Sequence, residues 1–418
     1  MSGQRVDCQC CGRCCRRWRV ALRPGEAERL DHWRARAAPD AAAVVERYGG
    51  HPYVAHTAAG DCVFLDGVRN RCRLEEVAGA AAKPLGCRIY PFNLVTLFPG
   101  VLSCGVRFDC PAVRSNQGRE LDAWRQQILD YAMALHPGGH GLDLKTLAHL
   151  EPPTVRLLAD SFRTFLAESA GRLSPGAQTV VLWRAVQRFA GLGPAFVNDR
   201  ETMAEILPRM LAKFAPDPAE ERRGVPGAVS RALFRLWLAN YWRRDQEWSG
   251  SRGAGARLRR AWLLVCLMAG HGSPAGLSSE HPDLALGRAG LFRLEPPVQP
   301  LPGPAASDAA EVWECWRRWL GGRLETWQWF GAAGYGQDLW GGLRSLLQAG
   351  LLVAATARVS AAAAGRPRLA AADVQYAVGA IDHAFGRSPL LQWAPMRRFD
   401  AWFAGPRFEQ LVAALDWQ

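Results

Sequence analysis

Lysine is almost missing from this chain of 418 residues, since it supplies only three of the 51 basic side chains and arginine supplies the others. The arginines are scattered along the chain instead of forming one block. The net charge of +12 therefore does not by itself indicate a nucleic-acid-binding surface. A basic surface favours anionic partners in general but identifies none of them, and we do not expect nucleic acid to be a partner.

The motifs of several common enzyme classes are also missing. HExxH, GxSxG and the Walker-type GK[ST] do not occur, and no glycine-rich loop follows a predicted strand. No segment alternates strands and helices as a nucleotide-binding sheet does. The sequence therefore identifies no catalytic residue, and it leaves open whether the chain is an enzyme.

Long apolar runs are absent as well. The first residues lack the apolar stretch of a secretory signal. The most apolar runs, 261–270 and 345–357, are shorter than the roughly 20 residues that span a bilayer, and they predict buried helices. We expect a cytoplasmic protein without a membrane partner. In that compartment thiols stay reduced, and clustered cysteines more often hold a metal than form disulfides.

The composition divides the chain into two regions and predicts a mainly α protein. Residues 1–115 are rich in cysteine, glycine and proline, which predicts a small metal-binding domain of short, irregular elements. Residues 116–418 show helical periodicity and predict a large all-helical domain. A loop rich in proline, glycine and serine at 271–304 is a candidate point of subdivision. The predicted helices are 24–37, a short one after Asp40, 121–135, 155–166, 176–190, 199–214, 227–247, 255–270, 306–330, 337–360 and 369–385.

Cysteine is concentrated at one end, since ten of the 12 cysteines lie between Cys8 and Cys110. Cys8, Cys11 and Cys14 follow the spacing C-x2-C-x2-C, which lets a short loop turn three sulfurs toward one point. Gly12 permits the tight backbone that such a loop needs. Three thiolates on one loop leave a tetrahedral site incomplete, so a fourth ligand must come from elsewhere.

The missing ligands are available downstream. Cys110 is followed by proline, and a Cys-Pro pair also occurs where a remote cysteine completes an iron–sulfur site. Cys14 and Cys15 are adjacent, so they do not easily bind one ion together, which favours two neighbouring metal sites or one bridged cluster. Eight sulfurs would complete two four-sulfur sites holding iron–sulfur clusters, such as 4Fe-4S, or zinc: Cys8, Cys11, Cys14, Cys15, Cys62, Cys72, Cys87 and Cys110.

Other candidate residues have simpler interpretations. Cys10 and Cys104 fit the loop less well and are interpreted as additional thiols. Cys266 and Cys315 lie in apolar helical patterns and are predicted core residues. His51 and His56 are possible metal ligands by residue type, but we favour ordinary loop roles for them. The tryptophans at 313, 316 and 319 are interpreted as a packing stripe. The arginines at 13, 16, 17 and 19 would favour deprotonated cysteines, and an ordinary basic stretch is the alternative.

The cysteine pattern resembles the CxxCxxCC (YkgJ-type) family, whose members are described as zinc- or iron-chelating domains. The resemblance rests on Cys8-x2-Cys11-Gly-Arg-Cys14-Cys15, on the later Cys62-Val-Phe-Leu and Cys72, and on Cys87-Arg-Ile-Tyr-Pro-Phe. It covers about the first 110 residues and follows the family's motif order. It implies metal binding, without a reaction.

A related branch, the bacterial flagellin lysine-N-methylases, is similar in the segment from Cys14 to Val20 and in Cys110-Pro111. This resemblance implies methyl transfer from S-adenosylmethionine to a lysine of a protein substrate, with participation of an iron–sulfur cluster. An acidic or aromatic residue near Asp61, Asp66 or Tyr90 would then orient the lysine amine. The chain departs from the branch after Tyr90-Pro91, where phenylalanine stands in place of an expected arginine. A structural zinc module in an interaction scaffold is the third hypothesis.

Overall fold

The computed structural model describes residues 3–16, 18–98, 101–135, 144–215, 226–243, 253–278, 280–289, 291 and 310–415. Short strands and irregular elements make up most of the N-terminal region, and helices follow from residue 125 onward. The prediction of a mainly α protein with an irregular cysteine-rich start is therefore confirmed. The division into domains at residue 115 stays a prediction.

The strands of the described residues are short and pair in four separate antiparallel sheets of two strands each. Their order shows that three of these sheets are local hairpins, whereas the remaining sheet joins the start of the chain to residues 119–120. The pairs are Arg5–Val6 with Arg119–Glu120, Val45–Tyr48 with His51–Val54, Leu65–Asp66 with Arg71–Cys72, and Phe92–Phe98 with Val101–Val106.

The helices of the described residues fall into two sets. Those before residue 125 have at most 12 residues and are separated by turns: Glu26–Ala37, Arg73–Ala78, Leu85–Ile89 and Pro111–Arg114. The later ones carry the bulk of the fold: Arg125–Leu135, Pro152–Glu168, Pro175–Ala190, Pro194–Val197, Arg200–Lys213, Ala228–Trp242, Ala254–Ala269, Glu314–Glu325, Leu339–Ala363, Ala371–Ala384, Pro389–Gln392, Ala394–Trp402 and Pro406–Ala414.

Most of the predicted helices are present. The helix predicted at 24–37 begins at Glu26, with acids in its first turn and arginines in its last, as the helix dipole favours. The first residues of the prediction at 306–330 and the last of the one at 227–247 lie outside the described residues. So does much of the loop at 271–304, whose described part contains the short 3-10 turns Pro274–Gly276 and Leu286–Ala289.

The short helix predicted after Asp40 is wrong, because this segment forms the hairpin of Val45–Tyr48 and His51–Val54. Gly49 and Gly50 connect the strands with φ angles of 55° and 85°. Two consecutive left-handed residues match the twist of a two-residue hairpin turn and are incompatible with a helix. The glycine pair therefore forms the turn of a hairpin and does not end a helix.

The buried side chains of the described residues form two hydrophobic clusters. The smaller one contains Val20, Leu30, Val44 and Leu74 and belongs wholly to the cysteine-rich region. The larger one contains most of the helical core together with buried residues between 85 and 113. The hairpin 92–106 and the segment around Cys110 thus pack with the helices.

The tryptophan stripe is a packing element as predicted, since Trp313, Trp316 and Trp319 are almost fully buried. The helix Leu339–Ala363 is long and apolar enough to cross a membrane, but 83% of its apolar window is buried inside the protein. The run 345–357 is thus the buried helix that was predicted. The run 261–270 is helical but not buried throughout, because Trp262 is 69% exposed and Val265 is 52% exposed.

Candidate metal centre

The loop of the first five cysteines has the tight turn that the sequence predicts. Gly12 has a left-handed backbone with φ of 67°. It precedes the 3-10 turn Arg13–Cys15, in which the N–H of Cys15 donates to the carbonyl of Gly12 at 3.0 Å. The turn brings the Sγ atoms of Cys14 and Cys15 to 3.9 Å from each other. The two adjacent sulfurs are therefore neighbours, close enough to serve neighbouring metal sites.

Two later segments fold against this loop. The N–H of Cys62 donates to the carbonyl of Cys15 at 2.7 Å, and Arg16 pairs with Asp61 in an antiparallel bridge. Cys72 stands at the end of its hairpin, directly before the helix Arg73–Ala78. The contacts of Asp61 and Cys62 place Cys62 beside the first loop. Arg16 Nη2 donates to Asn70 Oδ1 at 2.6 Å and joins the loop to the hairpin that ends at Cys72.

Cys14 is the thiol to which most of the others are electrostatically coupled. Its Sγ lies beside that of Cys15, and Cys72 interacts with Cys62 and Cys87. Four further thiols have a pKa that is raised mainly by burial and also by the charge of Cys14: Cys8, Cys62, Cys87 and Cys110. Seven of the eight predicted ligands are thus linked by electrostatic interactions, most of them through Cys14. We call these seven (Cys8, Cys14, Cys15, Cys62, Cys72, Cys87 and Cys110) the cysteine cluster.

Backbone N–H groups offset part of the effect of burial on several of these thiols. The N–H of Phe64 acts to lower the pKa of Cys62. The N–H groups of Glu75 and Leu74 act to lower the pKa of Cys72. The repeated arrangement includes Cys10 acting on Cys8 and Ala112 acting on Cys110. An N–H group two residues after the cysteine stabilises a thiolate, which is the form that binds metal.

Burial raises the pKa of these thiols, and without a metal its effect is larger than that of the backbone N–H groups. Burial raises the pKa of Cys62 and of Cys87 to about 12, and that of Cys110 to about 11. The hydrogen bond with Cys15, followed by burial, raises the pKa of Cys14 still further. At neutral pH these groups are therefore protonated thiols, and a bound metal ion would displace their protons.

Lys83 is a cation that acts on this cluster, and no sequence pattern points to it. Its Nζ donates to Glu75 Oε2 at 2.8 Å. Its charge lowers the pKa of Cys14, Cys72 and Cys87, which partly offsets their burial. One of the three lysines in the chain thus lies where it favours thiolates.

The arginines of the first loop act mainly on carboxylates. Arg13 pairs with Glu280 at 3.5 Å, and Arg16 pairs with Asp61 at 3.6 Å. Arg19 faces Glu46 at 3.6 Å, and Arg17 lies outside the described residues. The charge of these arginines is therefore partly matched by acids.

The remaining thiols divide as follows. Cys11 is exposed, and Cys10 has a left-handed backbone with φ of 49°. Cys104 lies in the strand Val101–Val106, and Cys315 is buried in the core as predicted, whereas Cys266 is only half-buried. All twelve cysteines are free thiols.

Among the described residues, no group of three or more histidine, cysteine, aspartate or glutamate side chains already has the geometry to hold one metal ion. The ligand set of eight cysteines therefore stays a prediction.

The residues suggested for orienting a lysine amine have other partners. Asp61 faces Arg16, and Asp66 accepts hydrogen bonds from the N–H groups of Val68 and Arg69, both at 3.0 Å. The Tyr90 hydroxyl donates to Asp109 Oδ1 at 3.2 Å. These contacts give Asp61 and Asp66 local structural roles.

A buried ionic network adjoins the cluster at Cys110. Asp109 contacts Arg107, and its Oδ2 lies 3.1 Å from His383 Nδ1. Burial by itself would raise the pKa of Asp109, but Arg107, His383 and Arg387 hold it well below its usual range. Because its members are far apart in the sequence, no local pattern could have predicted this network.

The comparison with known families agrees with the site. Residues 7–116 match the model of the CxxCxxCC family, which is described as a "Putative zinc- or iron-chelating domain". The match contains all eight predicted ligands. No curated protein and no solved structure matches the chain. Over residues 7–116 the chain is therefore similar to the CxxCxxCC family, whose model carries this description.

Proposed function

We propose that the cysteine-rich region binds an iron–sulfur cluster or zinc through its eight cysteine thiolates, including Cys11 of the first loop. The observation that carries this proposal is the packing of the first cysteine loop against the segment of Cys62. The Sγ atoms of Cys14 and Cys15 lie 3.9 Å apart, and the N–H of Cys62 donates to the carbonyl of Cys15 at 2.7 Å. Two distant segments thereby bring thiols together, as a site with thiolate ligands requires.

The chemistry of the donor set supports the same proposal. After burial, the charge of Cys14 also raises the pKa of Cys8, Cys62, Cys87 and Cys110, which makes the metal-free cluster electrostatically unfavourable once several thiols are ionised. A cation between them removes that repulsion, and soft thiolates select zinc or iron–sulfur clusters. Lys83 would compensate part of the negative charge of a thiolate-bound centre.

The two candidate centres would serve different purposes. An iron–sulfur cluster supplies one-electron chemistry when bound, whereas a four-thiolate zinc ion supplies folding free energy. The spacing C-x2-C-x2-C together with Cys110-Pro111 favours the iron–sulfur form. In either form the protein residues hold the centre, shield it by burial and stabilise the thiolates.

Anaerobic purification tests this proposal. We expect a brown protein with broad visible absorption and with iron and acid-labile sulfide bound to each chain. Colourless protein with stoichiometric zinc would instead establish the structural zinc form. A chain without bound zinc or iron, after purification without oxygen and without chelators, would contradict the proposal.

Lysine methylation stays a prediction from the resemblance to the flagellin lysine-N-methylases. It requires saturable binding of S-adenosylmethionine and methyl transfer to a lysine of a protein substrate. Both are measurable with cluster-replete protein and a radiolabelled methyl donor. Failure of cluster-replete protein to bind the donor would exclude this reaction while leaving metal binding intact.

A further inference from the structure

His56 is a buried histidine with one ring nitrogen that has no hydrogen-bond partner. Its side chain is only 7% exposed. Nδ1 lies 3.3 Å from Glu46 Oε1, whereas Nε2 is buried and contacts neither a donor nor an acceptor. Because a carboxylate accepts the Nδ1 proton, the neutral imidazole carries a bare lone pair on Nε2. That lone pair is the group that binds metal ions.

The backbone places this imidazole beside a predicted metal ligand. His56 and Cys62 face each other in an antiparallel bridge. The flanking hydrogen bonds run from Val63 N–H to the carbonyl of Ala55 at 3.1 Å and from Thr57 N–H to that of Asp61 at 2.7 Å. Residues between such bonds form a non-hydrogen-bonded pair, with Cα atoms about 4.5 Å apart and side chains on the same face of the ladder.

The contact with Glu46 completes a familiar arrangement. Histidines that bind metals usually donate their other ring N–H to a carboxylate, which fixes the tautomer and the orientation of the ring. Glu46 lies on the strand Val45–Tyr48, directly beside the strand that leads to His56. It is held there by Arg19 as well as by the imidazole. An ordinary structural role of His56 in a loop would not explain why its buried Nε2 has no hydrogen-bond partner.

We propose that His56 is a nitrogen ligand of the metal site that includes Cys62. The proposal rests on the metal-binding function proposed above and deepens it by assigning a mixed sulfur–nitrogen site. Zinc sites with three cysteines and one histidine occur, and histidine also replaces cysteine at one iron of some iron–sulfur centres. One of the eight cysteines would then lie outside the two sites.

X-ray absorption at the edge of the bound metal tests this assignment in the full chain, purified without oxygen. The wild type should show a nitrogen shell in addition to the sulfur shell, which for zinc means about 2.0–2.1 Å for nitrogen against about 2.3 Å for sulfur. His56→Gln should lose the nitrogen shell and bind less metal. His56→Cys should restore the metal content with sulfur ligands only.

His51→Gln is the matched control, because His51 is exposed on the same hairpin and should leave both shells unchanged. Glu46→Gln should keep the nitrogen shell but weaken metal affinity about 10- to 100-fold.

An all-sulfur shell in the wild type, or an unchanged nitrogen shell in His56→Gln or His56→Cys, would overturn the assignment while leaving the proposed function intact. A wild-type chain without metal would overturn both. If His56→Gln does not fold, the comparison of the wild-type and His56→Cys spectra still shows whether His56 supplies the nitrogen shell.

Discussion

The carboxylate of Asp382 accepts a hydrogen bond from the backbone N–H of Phe108 at 2.8 Å, although 274 residues separate them. Phe108 lies directly before Asp109 and Cys110. Asp382 is completely buried and also accepts from Trp319 Nε1 at 2.8 Å and pairs with Arg323. This one carboxylate therefore fixes the segment of a predicted metal ligand to two helices of the large core.

The first prediction concerns that carboxylate. Asp382→Asn should destabilise the fold by about 3–5 kcal/mol, because it leaves the buried charge of Arg323 without its partner. Urea unfolding followed by circular dichroism measures the loss. Asp160→Asn is the control, since its pair with Arg163 is exposed and should contribute only about 0–1 kcal/mol. Equal effects of the two substitutions would contradict the prediction.

The same group predicts a pH dependence of stability. Burial by itself would raise the pKa of Asp382, but Arg323 and Arg387 hold it at about 2, below the ordinary value of 3.8. A lowered pKa in the folded state contributes stability that is present above pH 4 and is lost as the pH falls toward 2. The contribution amounts to about 2 kcal/mol. Denaturant titrations at several pH values should show this decline in the wild type and a shallower one in Asp382→Asn.

Metal removal should loosen only part of the cysteine-rich region. The smaller hydrophobic cluster packs against Cys62 and Cys72, and it contributes little stability of its own because it has few buried residues. Residues 8–16 and 55–74 should therefore exchange amide hydrogens faster after the metal is chelated. The hairpin 92–106 packs in the larger cluster and should keep its protection. Hydrogen exchange with mass spectrometry reports both. A uniform loss of protection up to residue 115 would show that the region unfolds as one unit.

A side chain at Gly12 should destabilise the first cysteine loop. A Cβ there would lie 2.9 Å from Asn70 Oδ1 and 3.0 Å from Arg16 Nη1, on a backbone with φ of 67°. Gly12→Ala should cost about 1–2 kcal/mol and reduce metal loading, since the left-handed turn orients the sulfurs. Gly67→Ala is the control, because a Cβ there meets open space. Metal content and thermal unfolding of both variants check the prediction, which unchanged loading of Gly12→Ala would refute.

The sequence was most informative where the structure depends on local spacing. Periodicity predicts most of the long helices because an amphipathic pattern repeats within them, and the cysteine spacing predicts the tight turn at Gly12. The prediction of a helix after Asp40 is wrong because an alanine- and valine-rich run fits a helix and a strand equally well. The turn at Gly49 and Gly50 and the packing of Val44 and Val54 in the smaller cluster favour the hairpin.

The environment of the cysteines could be predicted only in part. Residue spacing identifies Cys8, Cys11 and Cys14, but it contains no information on Lys83 or on the contact of Asp109 with His383. Such partners are brought together by tertiary packing across long stretches of chain. Similarly, His56 looked ordinary in the sequence because Glu46 and Cys62 approach it only through strand pairing.

Metal content per chain, measured by elemental analysis on protein purified without oxygen, tests the central claim most directly. The wild type should carry stoichiometric iron with sulfide, or stoichiometric zinc. Cys14→Ser should lose most of this metal, because Cys14 is coupled to most of the other thiols. Cys266→Ser, on the half-buried helix Ala254–Ala269, should retain it. Equal metal content in Cys14→Ser and the wild type would contradict the account.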